Sequence, residues 1–461
     1  MRASSTGYDA FPDDRHCNYA TRVPYRDPVF AILFVAQLAG VIALAVVFAP
    51  HADRGADGHG KPSQADGESQ AMLYRILASL AVGVVASLLF GFIWLRIMQT
   101  YASKIIRLSI QANIALQTAI GLGALLAGLP MMSLIMFISA GVLALWYFLV
   151  RKRTFFSAVM LELSVSAIDQ DPTVVWLTLA SQVVAVVWMG VWMTALSGTV
   201  MRMQSDSINR PSDAQMNGVI FFLVLSLLWT IEVLRNTIHT TTAGVCGTFY
   251  FFGASRNATL KSARRTLTTT FGAVCLGSLI VSIVATLRVM VNRRRDRRRD
   301  TLANVCLDCL LRCIEDIIRY VSKFAFTRVA VYGESFMTAC RATFELFRSR
   351  GLDVVIADDL SSFALVAGSL LGGAFAALLG GISALALSRN ADLAVQLGVA
   401  CFVCGFAITS MIMSVVTSGV ATFIVLWAEE PHVLEQNHPE LYARLNSAVR
   451  LQFPNFAMSG V

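Results

Sequence analysis

Ten stretches of this chain are apolar over about the thickness of a bilayer's hydrocarbon core, and that repetition leaves few folds open. They are 29–49, 73–95, 105–127, 131–150, 173–198, 218–235, 238–253, 267–291, 361–387 and 395–427. A helix rises 1.5 Å per residue, so roughly 20 apolar residues cross about 30 Å. In lipid every backbone N–H and C=O needs an internal partner, so runs of this length become helices. Charged residues are only 14% of the 461, against about 25% in soluble domains. The fold class is therefore all-α: a polytopic transmembrane bundle of about ten spanning helices with a cytosolic amphipathic helix. The expected division is a tail at 1–27, eight spans in 28–291, a basic and amphipathic segment at 292–360, two spans in 361–427 and a tail at 428–461.

The net charge of +8 comes from basic residues that sit beside apolar segments. The positive-inside bias and anionic lipid account for them. No basic–aromatic module or zinc finger points to nucleic acid. The first 27 residues are polar and of mixed charge, and the first apolar run is too long for a signal sequence, so the N-terminus is expected in the cytosol. The connections 97–107 and 151–172 then lie inside and the loop 50–72 outside.

Residues 218–253 read either as one long bent helix or as two crossings with an unwound joint. Arg293, Arg294, Arg295, Arg297, Arg298 and Arg299 select the second reading. Held on the cytosolic side against anionic lipid, they require an even number of crossings before them. The count becomes ten, with both termini inside. The one N-x-S/T sequon, at Asn257, then falls outside as a candidate glycosylation site. Arg256, Lys261, Arg264 and Arg265 in the same loop run against that placement. None of the nine cysteines falls in an outside loop, so no extracellular disulfide framework is expected.

Two segments between spans are amphipathic. Residues 154–168 read as an interfacial helix after a basic triplet. In 302–324, Leu302, Cys306, Leu310, Cys313, Ile317, Val321 and Phe324 recur at helical spacing, with Asp308, Arg312, Glu315, Asp316, Arg319 and Lys323 opposite. That is the pattern of a helix lying on the membrane face. In 361–387, Gly368, Gly372, Ala376 and Gly380 repeat every fourth position, a face for close helix packing.

Glu232 is the only carboxylate inside the clear spanning segments. On a helix Trp229, Glu232, Asn236 and His239 fall within roughly an 80° sector. One face thus offers an aromatic plane, a carboxylate, an amide and an imidazole. A quaternary ammonium donates no N–H bond, so aromatic faces and a nearby negative charge hold it. Trp229 and Glu232 have that chemistry. Trp188, Trp192, Trp176, Tyr250, Phe251 and Phe252 are candidates to complete a cage. Asn236 and Thr240 suit a substrate hydroxyl, and His239 suits a proton. The plainer alternatives are a Glu232–Arg235 pair at i, i+3, tryptophans in an interfacial belt, and a structural histidine.

Cys306, Cys309 and Cys313 stand near the apolar side of the 302–324 helix, as packing residues or as candidates for S-palmitoylation. They lack the fourth ligand of a zinc site. No metal-protease, nucleophile-elbow, phosphate-loop or dinucleotide motif is present, so neither an enzyme nor a cofactor is expected.

Longer patterns add to this reading. Residues 306–347 run CLDCLLRCIEDIIRYVSKFAFTRVAVYGESFMTACRATFELF. This resembles the choline transporter-like solute carrier family in its cysteine-bearing segment and in the aromatic stretch through Ala330, Tyr332, Gly333 and Phe336. Residues 268–280, TTTFGAVCLGSLI, and 229–252, WTIEVLRNTIHTTTAGVCGTFYFF, resemble further stretches of that family. The tail around Trp427, Pro431, Asn437 and Tyr442 is similar to the branch in fungi, plants and protists called pH nine-sensitive proteins. The loop 50–72 is short where animal members carry a large domain. The resemblance implies a ten-span transporter of the plasma membrane, with both ends in the cytosol, that moves choline or a related organic cation; a monomer working by alternating access is the expectation. A channel-like or lipid-translocating protein and a non-transporting scaffold or sensor are the alternatives.

Overall fold

The structure, a computed structural model, describes residues 24–52, 65–151, 154–205, 213–253, 257–297, 302–350, 352–437 and 439–452. Among them there is no strand. In chain order the helices are α1 (Pro28–Ala52), α2 (Ala65–Leu126), α3 (Pro130–Val150), α4 (Thr154–Gln170), α5 (Thr173–Ser205), α6 (Asp213–Phe252) and α7 (Ala258–Leu267). Then come α8 (Phe271–Arg297), α9 (Leu302–Tyr332), α10 (Phe336–Arg350), α11 (Leu352–Ser388), α12 (Ala391–Glu429), α13 (Pro431–Asn437) and α14 (Pro439–Gln452). Eight of the described helices are long and apolar enough to cross a membrane. The protein is an all-α, multi-pass membrane protein, as its apolar runs require.

The eight differ from the expected ten in two places. The apolar part of α2, Tyr74–Leu126, is 53 residues, or about 80 Å of helix, more than two hydrocarbon thicknesses. It joins the expected spans 73–95 and 105–127, and its helical geometry breaks only at Tyr101 (φ −123°, ψ 23°). By contrast, α6 shows no such break. Its apolar part, Gly218–Phe252, is 35 residues, or about 52 Å, too long for one hydrocarbon core and too short for two plus a turn. The joint expected around 235–242 does not exist, and the double crossing is overturned.

The Phe252 end of α6 and the Glu429 end of α12 pack together where both overrun a bilayer. Tyr250 Oη donates to Glu430 O at 2.7 Å, and Phe249 meets Phe423 edge to face at 6.1 Å. α4 fills the same cluster, with Phe156 against Trp427 and Ser164 Oγ donating to Val416 O at 2.9 Å. Twelve of its residues, among them Phe156, Met160 and Leu163, are buried. A helix apolar on nearly all sides belongs inside, so 154–168 is a core helix and not an interfacial one.

Several connections meet at this end of the molecule. Arg26 N–H donates to Thr269 O, and Arg26 Nε to Gly333 O. Asp171 accepts from Thr259 N–H, and Arg328 pairs with both Glu334 and Glu429. The start of α1, the α4–α5, α7–α8 and α9–α10 connections and the end of α12 therefore share one end, so an even number of crossings separates α1 from α12. Residues 151–172 and Asn257 cannot lie on opposite sides. α8 starts here and runs 27 residues away, about 40 Å. Its C-terminus is thus at the far end from Asn257, and Arg293, Arg294, Arg295 and Arg297 do not share a side with the start of α1.

α9 departs furthest from expectation. It returns along α8, with Glu315 beside Arg288 and Phe326 beside Gly277, and ends next to Arg26. Its charges exclude it from the eight apolar helices. It is nevertheless a helix of the bundle, with Phe324, Ala325, Phe326 and Val329 fully buried. Only part of it is the reverse of a helix on a surface, since Arg312 and Asp316 stay exposed and Phe324 is buried. Cys306, Leu310, Cys313 and Ile317 point outward, while Glu315 is buried. Outward apolar groups meet lipid, and polar groups find partners inside.

Candidate functional site

A polar seam runs where α1, α6, α8, α9 and α12 meet. It begins with Gln37, a lone amide in the first apolar run. Its Nε2 donates to Thr230 Oγ1 at 3.2 Å, and its Oε1 accepts from Ser226 at 2.6 Å. One turn along α6, Trp229 is buried, its Nε1 donates to Cys275 O at 3.0 Å, and Phe34 meets its ring edge to face at 5.3 Å. Asn236 Nδ2 donates to Ser278 Oγ at 2.9 Å. His239 is buried between α12 and α9, with Nδ1 2.8 Å from Ser418 Oγ and Nε2 2.7 Å from Lys323 O. Thr240 turns its hydroxyl to Asn236 O at 2.7 Å. The neighbouring Thr241 hydroxyl is fully buried without a hydrogen-bond partner among the described residues.

Charge is concentrated at one point of the seam. Glu232, 8% exposed, pairs with Arg319 of α9. Arg319 Nε and Nη2 each donate to Glu315 Oε1 at 3.1 Å, and Arg288 Nε of α8 is 3.3 Å from Glu315 Oε2. The expected partner, Arg235, stands 3.9 Å off with 67% of its side chain exposed. Burial of two carboxylates demands such partners, because an unpaired buried charge costs several kcal/mol.

The expected cage is only partly assembled. Trp229, Glu232, Asn236 and His239 do share one side of α6, each facing another helix. Trp192 lies about 13 Å further along the α6 axis, where its Nε1 donates to Leu223 O at 2.8 Å. Trp188 sits in the same α1–α5–α6 cluster, and its buried Nε1 has no partner among the described residues. Tyr250 is 18 residues beyond Glu232 on α6, about 27 Å, and is engaged with Glu430. Trp176 is 57% exposed against Phe92. Tyr250 and Trp176 therefore stand apart from the carboxylate.

Sequence reasoning passed over Gln37, Arg288, Glu315, Arg319 and Ser418. Gln37 carried a signal, a single amide in a spanning run. Glu315 and Arg319 carried another, opposite charges at i, i+4 on a helix with an apolar back. Asn257 caps α7 in the left-handed region (φ 60°), which asparagine tolerates. Cys306, Cys309 and Cys313 are exposed.

Fold and seam together define a class: a multi-pass helical membrane protein with buried, paired charges between its helices, which is where membrane transporters place their pathways. The comparisons narrow the class. A family model described as plasma-membrane choline transporter matches residues 134–432, from α3 into α13. A CTL-like protein of Dictyostelium discoideum is 30% identical over 387 residues, 82% of this chain and 67% of its own. Protein PNS1 of Mycosarcoma maydis is 26% identical over 448 residues, 93% of this chain and 83% of its own. Protein PNS1 of Gibberella zeae is 30% identical over 319 residues, 65% and 59% of the two chains. The chain belongs to the choline transporter-like family, in agreement with the resemblance read from its motifs. At the level of that family it is a membrane transporter for choline-type substrates.

Proposed function

We propose that this protein moves choline or a related amino-alcohol cation across the plasma membrane by alternating access, with its termini in the cytosol. The observation that carries the reading is Glu232, a buried carboxylate beside Trp229 in the family-matched part of the chain. The carboxylate would neutralise the ammonium and the indole would face it, each aromatic contact contributing about 0.5–2 kcal/mol. Asn236 and Thr240 would take the hydroxyl, and His239 would be the group closest to a proton path. Trp188, with its unpartnered indole N–H, would line the approach between α1 and α5. The pathway would run along the seam, where the bonds from Gln37, Trp229, Asn236 and His239 join different helices and can be remade as they move.

The cytosolic assignment of the termini is supported by basic residues at their end, Arg26, Lys261, Arg264 and Arg265 among them. It leaves Arg293, Arg294, Arg295 and Arg297, at the end of α8, on the opposite side, while Arg298 and Arg299 lie outside the described residues. The transport reading is tested by saturable uptake of labelled choline into proteoliposomes. Excess unlabelled choline should compete, and its neutral isostere 3,3-dimethylbutan-1-ol should compete far less. Equal competition by the neutral compound would show that the site does not select charge. Non-saturable flux would favour a channel.

A further inference from the structure

Two carboxylates and two guanidinium groups meet where α6, α8 and α9 cross, and their pairing is uneven. Glu315 is 5% exposed and has two cations: the fork of Arg319, with two donors at 3.1 Å, and Arg288 at 3.3 Å. Glu232 depends on Arg319 alone at close range, since Arg235 is 3.9 Å away and mostly exposed. A guanidinium presents several donors in a fixed plane, so one Arg319 bridges both acids. The unevenness has a consequence. Glu232 can release Arg319 without stranding it, because Glu315 retains the fork. An ammonium arriving at Glu232 then leaves every buried charge partnered.

We propose that Arg319 is a specificity-determining residue of the cation site: a resident counter-cation that occupies Glu232 while the site is empty and is displaced onto Glu315 by the substrate's ammonium. The inference rests on the cation site proposed above and adds its competitor. A neutral molecule of the same shape offers Glu232 nothing in exchange for the guanidinium, so the site selects charge. The exchange also replaces one α6–α9 link, the Glu232–Arg319 pair, with an α6–substrate link, while the His239–Lys323 O contact between the two helices remains.

The test is equilibrium binding of labelled choline to the purified full-length protein. Arg319→Gln removes the competitor and should tighten binding about tenfold or more, the worth of one charge-assisted hydrogen bond. Glu315→Gln removes the retreat, holds Arg319 on Glu232, and should weaken binding by a similar factor. Arg319→Lys keeps the charge without the fork and should fall between parent and Arg319→Gln, which also covers the case in which Arg319→Gln does not fold. A residue that only braces the bundle would move both glutamine variants the same way. Changes of the same sign, or none, in folded protein overturn the exchange while choline binding by the parent stands. Absence of saturable choline binding by the parent overturns the cation site itself, and the exchange with it.

Discussion

Two helix contacts in this molecule use opposite means. α2, α11 and α12 meet through small residues. A methyl added at Gly372 would overlap the Thr409 side chain, and one at Gly405 would overlap Ala376. α1, α6, α8 and α9 meet through amides, hydroxyls and ion pairs. Between lipid-embedded helices apolar burial drives little association, so contact has to come from close van der Waals packing or from polar pairs. Close packing is lost with any separation of the backbones. Polar pairs can be exchanged for a ligand's groups. The first contact suits a frame and the second a pathway.

Mutations should separate the two. The largest effect is expected in the frame: Gly372→Leu should destabilise by about 3 kcal/mol, seen as a drop of several degrees in the unfolding midpoint in detergent. A wild-type midpoint would mean that α11 and α12 are not held by that approach. At the Phe252 end of α6, Asn437 Nδ2 donates to Tyr250 O at 3.1 Å and to Phe251 O at 2.8 Å. Asn437→Ala should cost about 1–2 kcal/mol in unfolding while leaving choline uptake intact. Lost uptake at unchanged stability would extend the pathway into the tail.

The smallest effect is a pH dependence outside both contacts. Burial raises the Asp171 carboxyl, but hydrogen bonds from Thr259 and Thr173 outweigh it and leave the group below its ordinary value of 3.8. Its tether to α7 is therefore complete above that value and is lost as pH falls through the lower folded one. Hydrogen exchange in α7 should be flat from neutral pH to about 4 after correction for the intrinsic rate, and should accelerate below it. Asp171→Asn should raise the exchange at neutral pH and abolish that step.

The same contrast explains what could be read from the sequence. The frame was legible: the four-residue repeat from Gly368 to Gly380 lies on the packed face of α11, and most spans end within a few residues of their apolar runs. Family membership was legible too, because its motifs are long and local. The seam was legible only along α6, where spacing fixes which side chains share a face. Its partners come from distant chain positions. Glu232 was matched to Arg235 three residues away, whereas Arg319, 87 residues on, takes it. On α9 the charged stripe divides: Glu315 and Arg319 turn inward to partners on α8 and α6, whereas Arg312 and Asp316 stay exposed, a division that spacing within one helix does not reveal. The double crossing of 218–252 came from fixing one arginine cluster to the cytosol, which a continuous α6 does not allow.

The central claim is that the seam, and not the frame, carries a cation. It is tested most directly by labelled choline uptake into proteoliposomes with Glu232→Gln and Trp229→Ala beside the parent, at matched protein and matched unfolding midpoints. Because Arg319 keeps Glu315, Glu232→Gln should fold as the parent does yet lose uptake tenfold or more, about the worth of one charge-assisted contact, and Trp229→Ala should lose less. Parental uptake by a well-folded Glu232→Gln would contradict the account.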